Sequence, residues 1–357
     1  MKKSLIALAV AGTFAAPAFA ATSNVDVYGV LNLSVSSIDS DVSGEDRSTS
    51  VSSNASRFGV KGSEDLGGGM KALWQIETTV NGEEGGGFGS GRNTFVGLGG
   101  GFGTVLIGKH DTPFKLLHRK VDNFGDTLAD SRNLLGTSAI AATSMFDLRT
   151  DNTIAYISPN LSGVTVTAAY VADHNQTGDA AECASGLDCN ETDGWSVTAD
   201  YANGPLMLGL GYELHNVDNG ANDIDRSMWR LVAGYKIGDL KLGALYEDGS
   251  ADAALAVAER DGWGLFANYT MGNIVLKANY LSVDDYEGVN DSGAKQYTIG
   301  ADYNLSKRTT VYGFYAKIKN DSNAQFDLGR AQGVSDSTNT SGGDDPSTFT
   351  LGVKHVF

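Results

Sequence analysis

The chain has 357 residues and a net charge of −17, which excludes a surface built to grip nucleic-acid phosphates. Beyond its first residues, no stretch approaches 18 continuous apolar residues, which excludes a membrane-spanning helix. Mean hydropathy is −0.16; a barrel with a wet lumen and polar loops has that value without being a water-soluble protein.

The first twenty residues read as a secretory signal peptide. Lys2 and Lys3 precede the apolar run from Leu5 to Phe14, and Ala18-Phe19-Ala20 supplies a small-x-small cleavage site. A mature chain starting at Ala21 loses those two lysines, so its charge falls from −17 to −19. Residues 21–357 then form one domain.

Along that domain, short turns alternate with long loops. Tight turns are expected near 67–69, 99–101, 159–160, 203–204, 238–239, 272–273 and 306–307. Long connections are expected at about 37–54, 81–91, 110–149, 172–193, 216–225, 249–260, 284–294 and 319–346. Seven turns and eight loops join sixteen strands, with both chain ends on the short-turn side. None of the five prolines, at 17, 113, 159, 205 and 346, falls in the middle of an expected strand.

The segment 110–149 breaks the hairpin rhythm. At about forty residues it is too long for a simple connection, and such loops are usually functional. It carries Asp111, Lys115, Arg119, Lys120, Asp122, Asp126, Asp130 and Arg132, with Phe114, Leu117, Phe124, Leu134 and Leu135 able to pack it. Such a loop has two places to go: over the outer mouth, or into the lumen. The next long loop holds both cysteines, Cys183 and Cys189. In an exported chain, two nearby cysteines point to a disulfide.

From residue 195 onwards, one pattern repeats every 34 residues. Trp195, Val197, Ala199, Tyr201 is followed by Trp229, Leu231, Ala233, Tyr235, then by Trp263, Leu265, Ala267, Tyr269 and by Tyr297, Ile299, Ala301, Tyr303. A second alternating series, which includes Leu242 and Leu276, runs between them at the same spacing. A helical repeat of similar period would need apolar residues at i, i+3 and i+4; strict alternation means strands. The residues in between are polar: Ser196, Thr198, Arg230, Lys241, Glu247, Lys277, Asn279 and Asp302 among them. Long strands, aromatic ends to the apolar stripes and alternating connection lengths place the apolar face in lipid and the polar face around water. The fold class is therefore all-β: a closed antiparallel sixteen-stranded transmembrane barrel, wide enough for an aqueous lumen and without an edge exposed to lipid.

Catalytic motifs are missing. Gly103–Lys109 has the spacing of a phosphate loop, but His110 follows instead of Ser or Thr, and Thr104–Ile107 read as a strand. There is no G-x-S-x-G and no H-E-x-x-H. The competing classes are an outer-membrane hydrolase using His118 with a Ser and an Asp, and an adhesive barrel with a plugged lumen. No cofactor or metal site is expected.

The chain resembles the general porins of Gram-negative outer membranes, in particular the proteobacterial branch with neisserial and burkholderial members. The resemblance covers essentially the whole mature chain. It is carried by Val27–Val30, Ser56–Gly67, Phe95–Leu98, Phe102–Val105 with Gly108 and Lys109, Asn152–Tyr156 with Ser158 and Pro159, and the terminal Gly352–Phe357. It implies a homotrimer in the outer membrane, surrounded by lipid and lipopolysaccharide, that passes small hydrophilic solutes. It implies that Phe357 belongs to the signal read by the barrel-assembly machinery. It further implies that 110–149 folds into the lumen as a constriction loop, with Arg57, Arg92, Lys109 and Arg149 on the basic wall and Asp122, Asp126 and Asp130 as acids on the loop. Independently, alternation turns Arg57 and Lys61 inward, because Phe58 and Val60 form the other face. Within that implied function, a substrate-selective channel of the same fold is the alternative to a general one. Four bases against three acids favour anions in the narrow section; the mature excess of −19 over the mouths tips the expectation to a weak cation preference.

Overall fold

The computed structural model describes residues 23–85, 87–136, 146–172, 191–218, 223–251, 259–329, 334–338 and 340–357. The signal-peptide expectation for 1–20 and the pair Cys183 and Cys189 lie outside the described residues.

Eighteen hydrogen-bonded segments form one continuous antiparallel sheet. Two strands are each broken into two segments that share a single neighbour, so eighteen segments make sixteen strands. β1 (Ser23–Asp39) pairs with both halves of β2 (Ser48–Ser53 and Arg57–Gly67). β3 (Met70–Val80) pairs with both halves of β4 (Phe88–Gly91 and Thr94–Gly100). The order continues through β5 (Gly103–Asp111), β6 (Arg149–Ile157), β7 (Val164–Val171), β8 (Glu191–Asn203), β9 (Leu206–Asp218) and β10 (Asp223–Ile237). It ends with β11 (Leu240–Ala251), β12 (Arg260–Met271), β13 (Ile274–Val283), β14 (Ala294–Asn304), β15 (Thr309–Asn320) and β16 (Ser347–Val356).

β16 returns to β1 in register, from Val30 opposite Val356 to Asp39 opposite Ser347, and closes the barrel. Closure satisfies every strand edge, as a lipid environment demands. The expected tight turns are all present; Gly204, Gly238 and Gly272 adopt φ of 56°, 57° and 59°, the left-handed region that glycine tolerates best. Several strands run further towards the long-loop side than the sequence suggested. β2 begins at Ser48 and β10 at Asp223, because the polar alternation continues past the apolar stripe.

The barrel is apolar outside. Leu210, Leu231, Leu242, Leu265, Leu276 and Ile299 are exposed, whereas Ser196, Thr198, Arg230, Glu247 and Thr298 are buried on the inner side. On the long-loop side, aromatic rings meet across strands at tilted angles: Tyr170 with Trp195 at 4.9 Å between centroids, Trp229 with Tyr246 at 5.1 Å and Trp263 with Tyr280 at 5.2 Å. Tyr235, Tyr269 and Tyr303 mark the short-turn side. Two aromatic belts bounding an apolar band match the two interfaces of a bilayer. The largest buried apolar cluster lies inside, where Leu117, Val121, Phe124, Leu128, Leu134 and Leu135 of the long third loop meet Val232, Leu245, Phe266, Leu281 and Phe314 of the wall.

Candidate pore constriction

The third loop leaves the wall at Thr112. The Thr112 hydroxyl accepts the Lys115 N–H at 3.3 Å and caps a short helix, α1 (Pro113–His118), which has proline in its first turn. Further on, Asp130 caps a single 3₁₀ turn, Ser131–Asn133, by accepting the Arg132 N–H at 2.9 Å. Asp122 links the two parts: one of its carboxylate oxygens accepts from Phe124 at 2.9 Å, the other from Ser131 at 3.2 Å.

This loop rests on glycines of the inner wall. A Cβ on Gly211 would sit 2.9 Å from Leu117, one on Gly243 3.0 Å from Val121, one on Gly262 2.9 Å from Leu135 and one on Gly300 3.0 Å from Phe124. Those four glycines are there for space. Each leaves a socket that a loop side chain fills at interior packing density. Polar contacts add to the docking: Asn123 Nδ2 donates to the Ala267 carbonyl at 3.2 Å and to Asn279 at 3.0 Å, and Asn133 Nδ2 donates to Gln296 at 3.1 Å.

The docked loop carries its charges towards the opposite wall. Asp126 sits at its tip, with φ of 62°. It pairs with Arg119 at 2.7 Å, with Arg57 of β2 at 3.5 Å and with Arg132 at 3.6 Å. Arg57 and Arg92 share Glu77, at 3.9 and 2.6 Å, and the Tyr28 hydroxyl donates to the same carboxylate at 2.8 Å. Next to Arg92, Asn93 accepts from Arg149 Nε at 2.8 Å, and Arg149 pairs with Asp111 at 3.1 Å. Asp111 also holds Lys115 at 3.0 Å. The result is a continuous charged ladder from loop tip to wall.

Burial alone would raise the Asp126 carboxyl, but Arg119, Arg132 and Arg57 outweigh it and hold it well below the usual carboxylate range. Asp130, also buried, is kept low by its fork to Arg132 at 2.6 and 2.9 Å. Burial, with Asp130 beside it, pushes the Asp122 carboxyl up.

Of the seven charged residues expected here, the structure gathers Arg57, Arg92, Arg149 and Asp126 into one ladder. Asp122 and Asp130 are placed in the loop's own framework; Asp130 has no exposed surface and Asp122 spends its oxygens on backbone N–H groups. Lys109 stands apart. Alternation puts it on the face of Val105 and Ile107, both exposed to the outside, and it pairs with Asp151 at 2.7 Å. A bulge between Gly108 and His110 accompanies this change of course. Phe357 exchanges main-chain hydrogen bonds with Gly29 at 3.0 and 3.1 Å.

Glu77 went unnoticed in the sequence, and Asp111 was noted only as one of the long loop's charges. Glu77 faces Gly59 across the β2–β3 ladder, two residues along from Arg57 on the same face, so cross-strand parity carried that signal.

Below the loop, towards the short turns, lies a cavity of about 440 Å³. Its basic lining is Arg119, Arg132, Lys277, Lys307, Arg308 and Lys354; its acidic lining is Asp122, Asp126, Asp130 and Asp302. Lys277 is partly neutralised by Asp302 at 3.0 Å and stands 4.6 Å from the centre of the Phe124 ring.

A family profile described as Gram-negative porin matches residues 7–323. Outer membrane porin protein 32 of Delftia acidovorans is 31% identical over 364 residues, spanning 100% of both chains. The major outer membrane protein P.IB of Neisseria gonorrhoeae is 36% identical over 183 residues, with the match spanning 49% of each chain. Among solved structures, an anion-selective porin from Comamonas acidovorans superposes with a TM-score of 0.77 at 28% identity, covering 94% of this chain and 100% of that one. OmpT of Vibrio cholerae in its trimer form has a TM-score of 0.70 at 17% identity, covering 94% and 99%, a likeness of fold.

Proposed function

Since the chain belongs to the Gram-negative porin family and is an outer-membrane porin channel, we propose that its third loop and the arginine wall form the section that limits flow. Small hydrophilic solutes cross through water, down their gradient, with no chemical step and no cofactor. The charge of the narrow section sets ionic preference.

We propose that this preference is for anions. The observation that carries it is the lining of the cavity below the loop, six basic side chains against four acidic ones. Of those acids, Asp130 is sealed off by Arg132, Asp126 is shared among three arginines, and Asp122 spends both oxygens on backbone N–H groups of the loop. The mature charge of −19, which led the sequence to a cation preference, acts mostly from the mouths. At a distance beyond about 8–10 Å it is screened at physiological salt. The same sign is named for the porin of Comamonas acidovorans, which supports this reading.

Reversal potentials under a salt gradient in planar bilayers test it. At about 1 M salt, where the screening length is about 3 Å, anion preference is expected. At about 0.01 M, where it is about 30 Å, the acidic mouths should draw the preference back towards cations. Cation preference at high salt would overturn the sign.

The assembled state we propose is a homotrimer. Its contact surface would be the outer face of β4–β6, where Val96, Ile107 and Ile154 are exposed beside the Lys109–Asp151 pair. An ion pair within the apolar band suits a face covered by protein better than one covered by lipid.

A further inference from the structure

On the inner wall, away from the arginine ladder, lies a second charged cluster that no solute touches. Arg230 has no exposed surface. Its Nη1 donates to Asp147 at 2.6 Å, its Nη2 to Glu247 at 2.6 Å, and its guanidinium lies 3.9 Å over the Phe114 ring. Nη1 also reaches the Phe114 carbonyl at 3.3 Å. Glu247, directly across the ladder from Arg230, accepts the Gly136 N–H at 2.6 Å with its other oxygen. Asp147 in turn holds His118 at 2.9 Å, and the other ring nitrogen of His118 meets Ser131.

We infer that Arg230 is the positioning residue of the constriction: by fastening the third loop at Phe114, Gly136 and Asp147 together, it sets where that loop stands in the lumen. Three points far apart in sequence, at the start, middle and end of the loop, converge on one guanidinium and its carboxylates. The barrel itself does not depend on them. β10 and β11 pair through an unbroken register on both sides of Arg230 and Glu247, and that ladder is made by backbone.

The glycine sockets and the guanidinium play different parts. Apolar side chains resting on glycines give adhesion that tolerates sliding by a residue or a rotamer. A buried ion cluster tolerates none, because a displaced partner leaves an unpaired charge in a dry site. Fixing one arrangement among several is the best-attested use of such clusters. Arg230 therefore acts on permeation through the loop and never meets the solute.

This inference rests on the reading that the loop narrows the channel, and the test separates the two. Arg230→Met, Arg230→Lys and Arg119→Ala would be reconstituted in planar bilayers, with heat-modifiable gel mobility as the measure of an assembled barrel. In assembled Arg230→Met channels, conductance should rise roughly 1.5-fold or more, with noisier open levels and a reversal potential nearer zero. Arg230→Lys, whose compact ammonium cannot serve both carboxylates in a fork, should fall between that variant and the wild type. Arg119→Ala should shift the reversal potential without added noise. If assembled Arg230 variants keep wild-type conductance and selectivity while Arg119→Ala shifts the potential, the positioning role is overturned and the channel reading stands. If none of the three changes selectivity, the channel reading itself fails and takes the inference with it. If neither Arg230 variant assembles, the residue is a determinant of barrel folding, which also overturns the inference.

Discussion

Asp126 is a carboxylate surrounded by arginines, and its chemistry follows from that imbalance. Its ion pairs with Arg119, Arg57 and Arg132 hold its proton affinity low, so the interaction persists above the ordinary carboxylate range and is lost only as pH falls below it. A carboxylate in water, without such partners, protonates at about pH 4. Acidifying from neutral to about pH 4 should therefore strengthen anion preference through the mouths while Asp126 stays ionised. Asp126→Asn should move the reversal potential further towards anions at high salt, and should leave the acid-induced change intact. If that variant abolishes the acid-induced change, Asp126 itself titrates there and its arginine pairing is wrong. Asp130→Asn is a different experiment: removing one partner of a buried pair costs about 3–5 kcal/mol, so it should disorder the loop.

At the scale of strands, two neighbouring residues separate the inside from the outside. Leu242 is exposed in the middle of the lipid face, while Lys241, next to it, turns inward and donates to the Lys120 carbonyl at 3.0 Å. Arginine at the bilayer midplane costs about 2–4 kcal/mol, so Leu242→Arg should depress folding into lipid vesicles far more than Lys241→Ala. Equal tolerance would mean the faces are reversed. The strands themselves were legible because the apolar face and the polar face differ residue by residue. The docking of the third loop was legible only by resemblance. Met228, Val232, Leu245, Phe266, Leu281 and Phe314 are apolar on the inner face, where water was expected. Such positions look like noise in an alternating pattern until a partner from far along the chain, such as Leu117 or Phe124, is laid against them. Lys109 differs: it was expected on the basic wall by resemblance alone, because its strand, glycine-rich and apolar on both faces, gives no clear parity.

For the whole molecule, the exposed apolar face of β4–β6 predicts association. On unheated detergent gels the protein should migrate at about three times its mature mass, the stoichiometry of the closed cyclic assembly proposed, and collapse on boiling. A monomer by native mass spectrometry, under conditions that preserve other porin trimers, would refute the assembly. Cys183 and Cys189 should be oxidised in exported protein, with little effect on the melting of the barrel, since the loop they close is short. Alkylation of both thiols without prior reduction would count against that bond.

The pairing of Phe357 with Gly29 joins the first strand to the end of the last. Gly29 leaves bare backbone beneath the Phe357 ring, where a Cβ would collide with it, so a residue of the first strand lies under one that follows the sixteenth. Nothing local can bring this contact about, and its closure entropy is that of a loop through all sixteen strands. It follows that the barrel has no partially closed stable form: with fifteen strands laid down, both edges still offer unpaired N–H and C=O groups to any neighbour. A barrel that lacks its sixteenth strand is therefore the form most prone to aggregation. Removing Phe357 should therefore slow assembly far more than it weakens the closed barrel, as refolding kinetics and thermal melting would separately report.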